Sequence, residues 1–179
     1  MQKTKTKNNK LFTKLSSDKN FSFDDIKSLN KKSIIIIKSL YHNDVTSSIV
    51  YDFVDNLKPP QRKELCLIEV PGTFEIPFMI KIILEKIKNR KFTEPISILA
   101  IGCVIKGETK HDEYIASTVI NALRNLSLEY KIPIINGIIT TLDMKQAKER
   151  AGTKYRKGKD FANSLNIIRN SINRVKRLK

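Results

Sequence analysis

The sequence contains few of the residues that build disulfide frameworks and structural metal sites. Among its 179 residues there are two cysteines, Cys66 and Cys103, and two histidines, His42 and His111. Both cysteines lie inside apolar segments, which indicates small core residues of a reduced, cytoplasmic protein. Two histidines and two widely separated cysteines do not form the ligand set of a structural zinc site. We therefore expect neither a disulfide bond nor a structural metal ion.

Long hydrophobic runs are also missing. The most apolar segments are SIIIIK (33–38) and ISILAIGCVI (96–105), whereas a membrane-spanning helix needs about 20 apolar residues. The N-terminal segment is polar and rich in lysine, and it lacks the apolar core of a signal peptide. Both absences predict a cytoplasmic protein that does not associate with a membrane.

Acidic residues are scarce relative to basic ones. The chain has 34 Lys and Arg against 18 Asp and Glu, a formal net charge of +16. Most of the excess lies at the two ends: residues 1–32 hold nine lysines and three aspartates, and residues 154–179 hold nine basic residues and one aspartate. Basic ends are consistent with nucleic-acid contact or with a composition bias and a solvated tail. Because they have little of the aromatic interleaving of a base-stacking surface, we favour the second interpretation and do not expect nucleic-acid binding.

What the chain does have is a regular alternation of apolar strands and amphipathic helices. Four segments are predicted as buried strands: 33–38, 64–70, 96–105 and 132–140. Apolar strands separated by helices indicate a parallel sheet with helices on both faces. We expect a single-domain, three-layer α/β sandwich of the flavodoxin-like type over residues 33–179. Residues 1–32 are expected to be a basic, flexible extension.

Helical periodicity places apolar residues on one face of each intervening segment. The predicted helices cover residues 44–57, 74–89, 111–130, 142–152, where Gly152 ends the helix, and 158–178. The last helix is predicted to turn five residues inward: Phe161, Leu165, Ile168, Ile172 and Val175. In a doubly wound sheet, ligands bind at the carboxyl ends of the strands. Candidate functional residues are therefore expected at the junctions 41–46, 71–75 and 106–111.

The junction VPGTFEIP (70–77) has two interpretations. Gly72 permits a tight turn, the amides of Thr73 and Phe74 would face outward at a helix N-terminus, and Glu75 could accept hydrogen bonds from hydroxyl groups. The alternative is structural, because Pro-Gly is a common turn and a glutamate in the first turn suits the helix dipole.

The junction KGETKH (106–111) has two interpretations as well. An anion cradle could form here from the amides of Gly107 and Glu108, the Thr109 hydroxyl and a nearby lysine. The stretch fits neither the Walker nor the dinucleotide glycine pattern. A histidine at a helix start is commonly a surface or capping residue. Beside a phosphate cradle, however, His111 becomes a candidate acid/base catalyst near neutral pH.

Five blocks in order resemble the 6,7-dimethyl-8-ribityllumazine synthase family of riboflavin biosynthesis: YHNDVTSSI, VPGTFEIPF, IGCVIKGETKHDEYI, PIINGIITTLDMKQAKERAG and KGKDFA. The similarity covers roughly residues 33–175. It implies an enzyme that joins 5-amino-6-ribitylaminouracil to 3,4-dihydroxy-2-butanone 4-phosphate and releases phosphate and water, without a metal or an organic cofactor. It also implies pentamers, decamers or sixty-subunit shells, active sites between subunits, and a functional link to riboflavin synthase.

The resemblance also implies a role for each matching residue. His111 matches the acid/base histidine, and Gly107, Glu108 and Thr109 match the phosphate-facing turn. The heterocycle and the ribityl chain are expected to contact Tyr41, Gly72, Thr73, Phe74, Glu75, Cys103, Val104 and Ile105. From the adjacent subunit, Asn136 would contact the heterocycle, Arg150 would pair with the phosphate, and Lys157 and Asp160 match a Lys-Gly-x-acid motif near that phosphate.

Some positions depart from the family pattern. Tyr41 stands where Phe or Trp is usual, His42 where Asn is common, Lys106 where Arg is usual, and Asn136 where many members have Phe. A shortened TKYRKGKD stretch makes the register of Lys157 less secure than that of Arg150. Two further hypotheses remain open at this point: a catalytically silent, shell-forming paralogue whose basic ends bind a polyanion, and a flavin-binding protein that uses the same pocket without catalysis.

Overall fold

The computed structural model describes residues 33–63, 65–88 and 95–178. The expected N-terminal extension, residues 1–32, lies outside the described residues. The strands are β1 (Ile34–Ser39), β2 (Leu65–Val70), β3 (Ser97–Ile105) and β4 (Ile134–Thr141). The helices of the described part are α1 (Asn43–Asp55), α2 (Pro59–Arg62), α3 (Ile76–Ile87), α4 (His111–Tyr130), α5 (Met144–Ala151) and α6 (Lys157–Lys176).

The four strands form one parallel sheet in the order β2-β1-β3-β4. This arrangement confirms the predicted flavodoxin-like sandwich. The chain moves from β1 outward to β2 and then returns to β3 on the other side of β1, so the strand order reverses between β1 and β3. In sheets of this kind the crevice for a ligand opens at that reversal, beyond the carboxyl ends of the strands.

Two hydrophobic cores flank the sheet because successive side chains of a strand point to opposite faces. Ile34 and Ile36 pack on one face with α1, α5 and α6. Ile35 and Ile37 pack on the other face with α3 and α4. All four isoleucines are 0% exposed, which explains why β1 is an unbroken β-branched run instead of an alternating pattern.

Helices α1 and α6 approach each other closely at Gly158. A Cβ atom at Gly158 would lie 2.4 Å from the carbonyl oxygen of Ile49 and 2.5 Å from the amide nitrogen of Phe53. The Asp52 carboxylate of α1 caps the start of α6, where it accepts hydrogen bonds from Arg156 Nη2 at 2.8 Å and from the Lys159 amide at 2.7 Å. The Lys-Gly-x-acid segment is therefore also a helix-packing motif.

The structure corrects the sequence-based prediction in two places. Val175 was expected to face inward but is 66% exposed. The reason is length and position: the first turn of α6 packs against the second half of the shorter helix α1 at Gly158, so the C-terminal end of the 20-residue α6 extends beyond its partner. The short helix α2 was not predicted, and it begins at the Pro-Pro pair that was expected only to end α1. Other boundaries differ by one or two residues.

Cys66 and Cys103 are both buried, which confirms them as core residues. In the part of the chain that the structure describes, no helix is both long enough and apolar enough to cross a membrane.

Candidate active site

The carboxyl ends of all four strands meet at one edge of the sheet, and backbone hydrogen bonds lock the following loops together. The Leu40 amide donates to the carbonyl oxygen of Val70 at 2.8 Å, and the Tyr41 amide donates to that of Pro71 at 3.0 Å. On the other side, the Lys106 amide donates to the carbonyl oxygen of Thr141 at 2.8 Å. Backbone hydrogen bonds of the kind that join parallel strands therefore continue into the loops and fix the loops relative to one another.

Tyr41 and His42 form the turn between β1 and α1. The Tyr41 side chain is 66% exposed, and its ring centroid lies 4.4 Å from that of His42 with the planes tilted by 57°. His42 has a left-handed backbone, φ 55°, and is the N-cap residue of α1. The exposed Tyr41 ring thus lies at the carboxyl edge of the sheet, with His42 beside it.

The loop between β2 and α3 places the residues Gly72–Glu75 next to this turn. Thr73 is buried, whereas Phe74 is 57% exposed. The Glu75 carboxylate folds back over the turn, since a Cβ atom at Gly72 would lie 2.9 Å from Glu75 Oε2. Gly72 therefore leaves space for this carboxylate, and the segment places a carboxylate and an exposed aromatic ring close together.

The end of β3 is largely buried. Cys103 is 2% exposed and Val104 is 9% exposed, and they pack in the cores on opposite faces of the sheet, while Ile105 is half-buried. Burial, with a smaller contribution from the nearby Asp44 carboxylate, raises the pKa of the Cys103 thiol to about 12. Cys103 is therefore a neutral core residue and not a nucleophile at physiological pH.

The loop between β3 and α4 carries the predicted phosphate turn and His111. Gly107, Glu108, Thr109 and His111 are all exposed, and His111 is the first residue of α4. The Gly107 amide donates to Asp112 Oδ1 at 3.3 Å, and the His111 amide donates to Thr109 Oγ1 at 3.4 Å. A carboxylate thus accepts from one amide of the expected anion cradle, and an arriving phosphate would have to take its place.

Four predicted residues are not among those brought together at this edge. Asn136 lies five residues before the end of β4, is exposed, and accepts a hydrogen bond from the Ile138 amide at 3.1 Å. Arg150 lies in the last turn of α5 and is half-buried. Lys157 Nζ contacts Asp160 Oδ2 at 2.9 Å in the first turn of α6. These residues lie on β4, α5 and α6 and not on the loops that follow β1, β2 and β3.

Comparison with known proteins identifies the family. The family model described as 6,7-dimethyl-8-ribityllumazine synthase matches residues 31–170. The chain belongs to this family. A relative of the same name from Buchnera aphidicola subsp. Baizongia pistaciae is 38% identical over 154 residues, which cover 84% of this chain and 93% of the relative. Another, from Pyrococcus furiosus, is 36% identical over 129 residues, which cover 72% of this chain and 78% of the relative.

Membership of the lumazine synthase family makes the protein a transferase of riboflavin biosynthesis. The candidate residues form two groups: the first lies on and around the loops after β1, β2 and β3, and the second lies on β4, α5 and α6.

Sequence reasoning missed three residues near this edge. Lys38 is a buried lysine at the end of β1, Gly102 makes room for Thr73, and Asp112 holds the Gly107 amide. Only Gly102 had a clear signal, because a glycine inside an apolar strand often marks a close approach of another segment. A lysine after four isoleucines suggests a solvent-exposed strand end, so its burial could not be read from the sequence.

Proposed function

We propose that the protein condenses 5-amino-6-ribitylaminouracil with 3,4-dihydroxy-2-butanone 4-phosphate to give 6,7-dimethyl-8-ribityllumazine, phosphate and water. The observation that carries the proposal is the gathering of the Tyr41 turn, the Gly72–Glu75 loop, the end of β3 and the Gly107–His111 loop at one edge of the sheet. Each of these loops also matches a family block.

The pyrimidine substrate is proposed to bind between Tyr41 and the end of β3. The exposed Tyr41 ring offers a stacking surface, and Cys103, Val104 and Ile105 are proposed to form the opposite side. The amides of Thr73 and Phe74 and the Glu75 carboxylate are placed to hold the polar edge of the ring and the ribityl hydroxyl groups. Tyr41 keeps an aromatic face, so its difference from the usual Phe or Trp preserves the stacking.

His111 is proposed to be the acid/base residue. Condensing an amine with a ketone needs a proton delivered to a departing hydroxyl group, and ring closure needs a second proton transfer. Histidine is the side chain that most often serves as a general acid or base in enzymes. Its place beside the Gly107–Thr109 turn would put it between the phosphate and the ring nitrogen. Holding the two substrates in register would supply much of the remaining acceleration.

Arg150 of a neighbouring subunit is proposed to pair with the phosphate, because phosphate elimination develops negative charge that a guanidinium stabilises with two parallel hydrogen bonds. Lys157 and Asp160 are proposed to lie near the same phosphate, and Asn136 near the heterocycle. In this role Lys157 would divide its charge between the phosphate and the Asp160 carboxylate that it contacts.

The protein is proposed to assemble as a pentamer or a multiple of it, in the cytoplasm, and to supply lumazine to riboflavin synthase. Support comes from exposed apolar side chains in and before α3: Phe78 and Ile82 of α3 are 68% and 47% exposed, and Phe74 of the preceding loop is 57% exposed. Their spacing of four residues places Phe78 and Ile82 on one stripe of the helix. A stripe of this kind rimmed by polar residues favours a contact with another protein surface.

The test is to mix the purified protein with both substrates and to follow lumazine fluorescence. Product formed faster than the spontaneous reaction supports the enzyme. Absence of product contradicts it, and a flavin titration then separates the other two hypotheses. Tight flavin binding without turnover would indicate a binding protein, and no flavin binding with an intact shell would indicate a silent paralogue.

A further inference from the structure

Lys38 is a lysine inside the sheet core. It lies at the end of β1 and is 3% exposed, although lysine is rarely buried to this extent unless its charge is paired. Its neighbours Ile34–Ile37 in β1 are all 0% exposed. The roles proposed above for the strand ends make no use of this side chain.

Three acceptors surround the Lys38 ammonium group. Nζ lies 2.6 Å from Asn43 Oδ1, 2.7 Å from Glu69 Oε1 and 3.0 Å from Ser47 Oγ. An ammonium group has three N–H donors, so these partners use all of them. The Glu69 side chain is 40% exposed, and the pair therefore joins a buried cation to a carboxylate that reaches solvent.

The three partners belong to the elements that carry two loops of the crevice. Asn43 and Ser47 are in the first turns of α1, directly after the Tyr41–His42 turn. Glu69 lies two residues before the Pro71–Glu75 loop and is paired in register with Lys38. One ammonium group thus connects β1, β2 and the start of α1.

Stability alone does not explain a cation at this place. The N-terminus of a helix carries a partial positive charge and favours anions, so the dipole of α1 opposes an ammonium group beside its first turn. A buried ion pair is also often no more stabilising than apolar residues of similar volume. Lys38 does have a clear effect on geometry, because its three directional hydrogen bonds fix the start of α1 relative to both strands.

We propose that Lys38 is a positioning residue of the active site, which holds the Tyr41–His42 turn at a fixed distance from the Pro71–Glu75 loop. The inference rests on the proposed stacking of the pyrimidine substrate on Tyr41. Lys38 touches neither substrate, and it acts through the orientation of Tyr41. The binding of the pyrimidine substrate therefore depends on Lys38, whereas the binding of the phosphorylated substrate does not.

The test compares Lys38→Met with Arg62→Met, in which a cation is removed from the short helix α2 before β2. Lys38→Met is expected to raise the KM of the pyrimidine substrate about fivefold, the loss expected when one side chain is no longer ordered before binding. The Tm is expected to fall, because the loss of one partner of a buried ion pair leaves the other partner's acceptors unpaired. The KM of the butanone phosphate should stay close to that of the unaltered protein, and Arg62→Met should change neither KM. An equal rise of both KM values would overturn the inference in favour of a structural role.

A double-mutant cycle with Tyr41→Ala separates this inference from the proposed function. If Lys38 acts through Tyr41, Lys38→Met adds little to the KM of a Tyr41→Ala protein. A raised pyrimidine KM in Tyr41→Ala with an unchanged KM in Lys38→Met overturns the inference about Lys38 alone. An unchanged pyrimidine KM in Tyr41→Ala overturns both the proposed stacking on Tyr41 and the inference about Lys38. Should Lys38→Met fail to fold, Asn43→Ala removes the shortest of the three contacts, and an unchanged pyrimidine KM in that variant contradicts the inference.

Discussion

Thr73 occupies the space that a side chain at Gly102 would fill. A Cβ atom at Gly102 would lie 2.6 Å from Thr73 Oγ1 and 2.8 Å from Thr73 Cγ2. Gly102 is in β3 and Thr73 follows β2, and β1 lies between these two strands in the sheet. The loop after β2 therefore reaches across the end of β1 and seats its threonine on β3. This contact sets the width of the crevice in which the pyrimidine substrate is proposed to bind.

Gly102→Ala is expected to displace Thr73 and, with it, the Gly72–Glu75 loop. Because the site is buried, the added methyl group should lower the free energy of unfolding by about 1–3 kcal/mol, and it should raise the KM of the pyrimidine substrate. Urea unfolding and steady-state kinetics measure the two effects. Gly107→Ala is the stability control, since a Cβ atom there would find its nearest neighbours at 3.9 Å. Equal stability losses in the two variants would contradict this account of Gly102.

His111→Ala is expected to lower kcat by about a hundredfold, the usual contribution of a positioned acid/base group. The Tm should change little, because His111 is exposed and its amide, not its ring, makes the hydrogen bond to Thr109. Thr118→Ala, an exposed position on the same helix, is the matched control. If His111→Ala turns over at the rate of the unaltered protein, the acid/base role is wrong.

Arg150 and Arg156 lie six residues apart, and their substitution by alanine should have opposite effects on Tm and KM. Arg156 contacts the Asp52 carboxylate through Nε at 3.1 Å and Nη2 at 2.8 Å, so Arg156→Ala should lower the Tm with little effect on KM. Arg150→Ala should keep the Tm and raise the KM of the butanone phosphate about 10- to 100-fold, as expected for a lost hydrogen bond to a charged group. Unchanged use of the phosphorylated substrate by Arg150→Ala would count against its phosphate role.

The buried thiol of Cys103 predicts a dependence of stability on alkaline pH. Its pKa is about 12 in the folded protein against an ordinary value of 9.0, so above pH 9 the unfolded chain loses a proton that the folded chain keeps. The unfolded state is then favoured, and stability falls as the pH rises from 9 towards 12, by up to about 1.4 kcal/mol per pH unit from this group. Urea unfolding at pH 9 and pH 11 should show that the free energy of unfolding falls less in Cys103→Ser than in the unaltered protein. Equal falls in the two proteins would contradict the claim that burial raises the pKa of this thiol.

The architecture could be predicted from the sequence because its signals are local. The run Ile34–Ile37 and the apolar segment 96–105 indicate buried parallel strands without any tertiary information. Helix α4 was predicted with the bounds that it has, since His111 and Tyr130 enclose a long, regular apolar period. Once the strands are known to be parallel, the three loops after β1, β2 and β3 must share one edge.

What could not be predicted depends on contacts between distant parts of the chain. The burial of Lys38 depends on acceptors from α1 and β2, and the role of Gly158 depends on the backbone of α1. The exposure of Val175 follows from the unequal lengths of α1 and α6, which periodicity within one helix does not report. The roles of Asn136, Arg150, Lys157 and Asp160 stay predictions, because they require the neighbouring subunit.

The proposed active site combines His111 of one subunit with Arg150 of the next. Co-expression of His111→Ala and Arg150→Ala chains in equal amounts, followed by measurement of lumazine formation by the mixed assembly, tests this arrangement directly. In a ring of head-to-tail contacts, about one quarter of the sites then have both residues intact. We expect the mixture to regain about one quarter of the activity of the unaltered protein. Activity no higher than the average of the two separate variants would contradict a site shared between subunits.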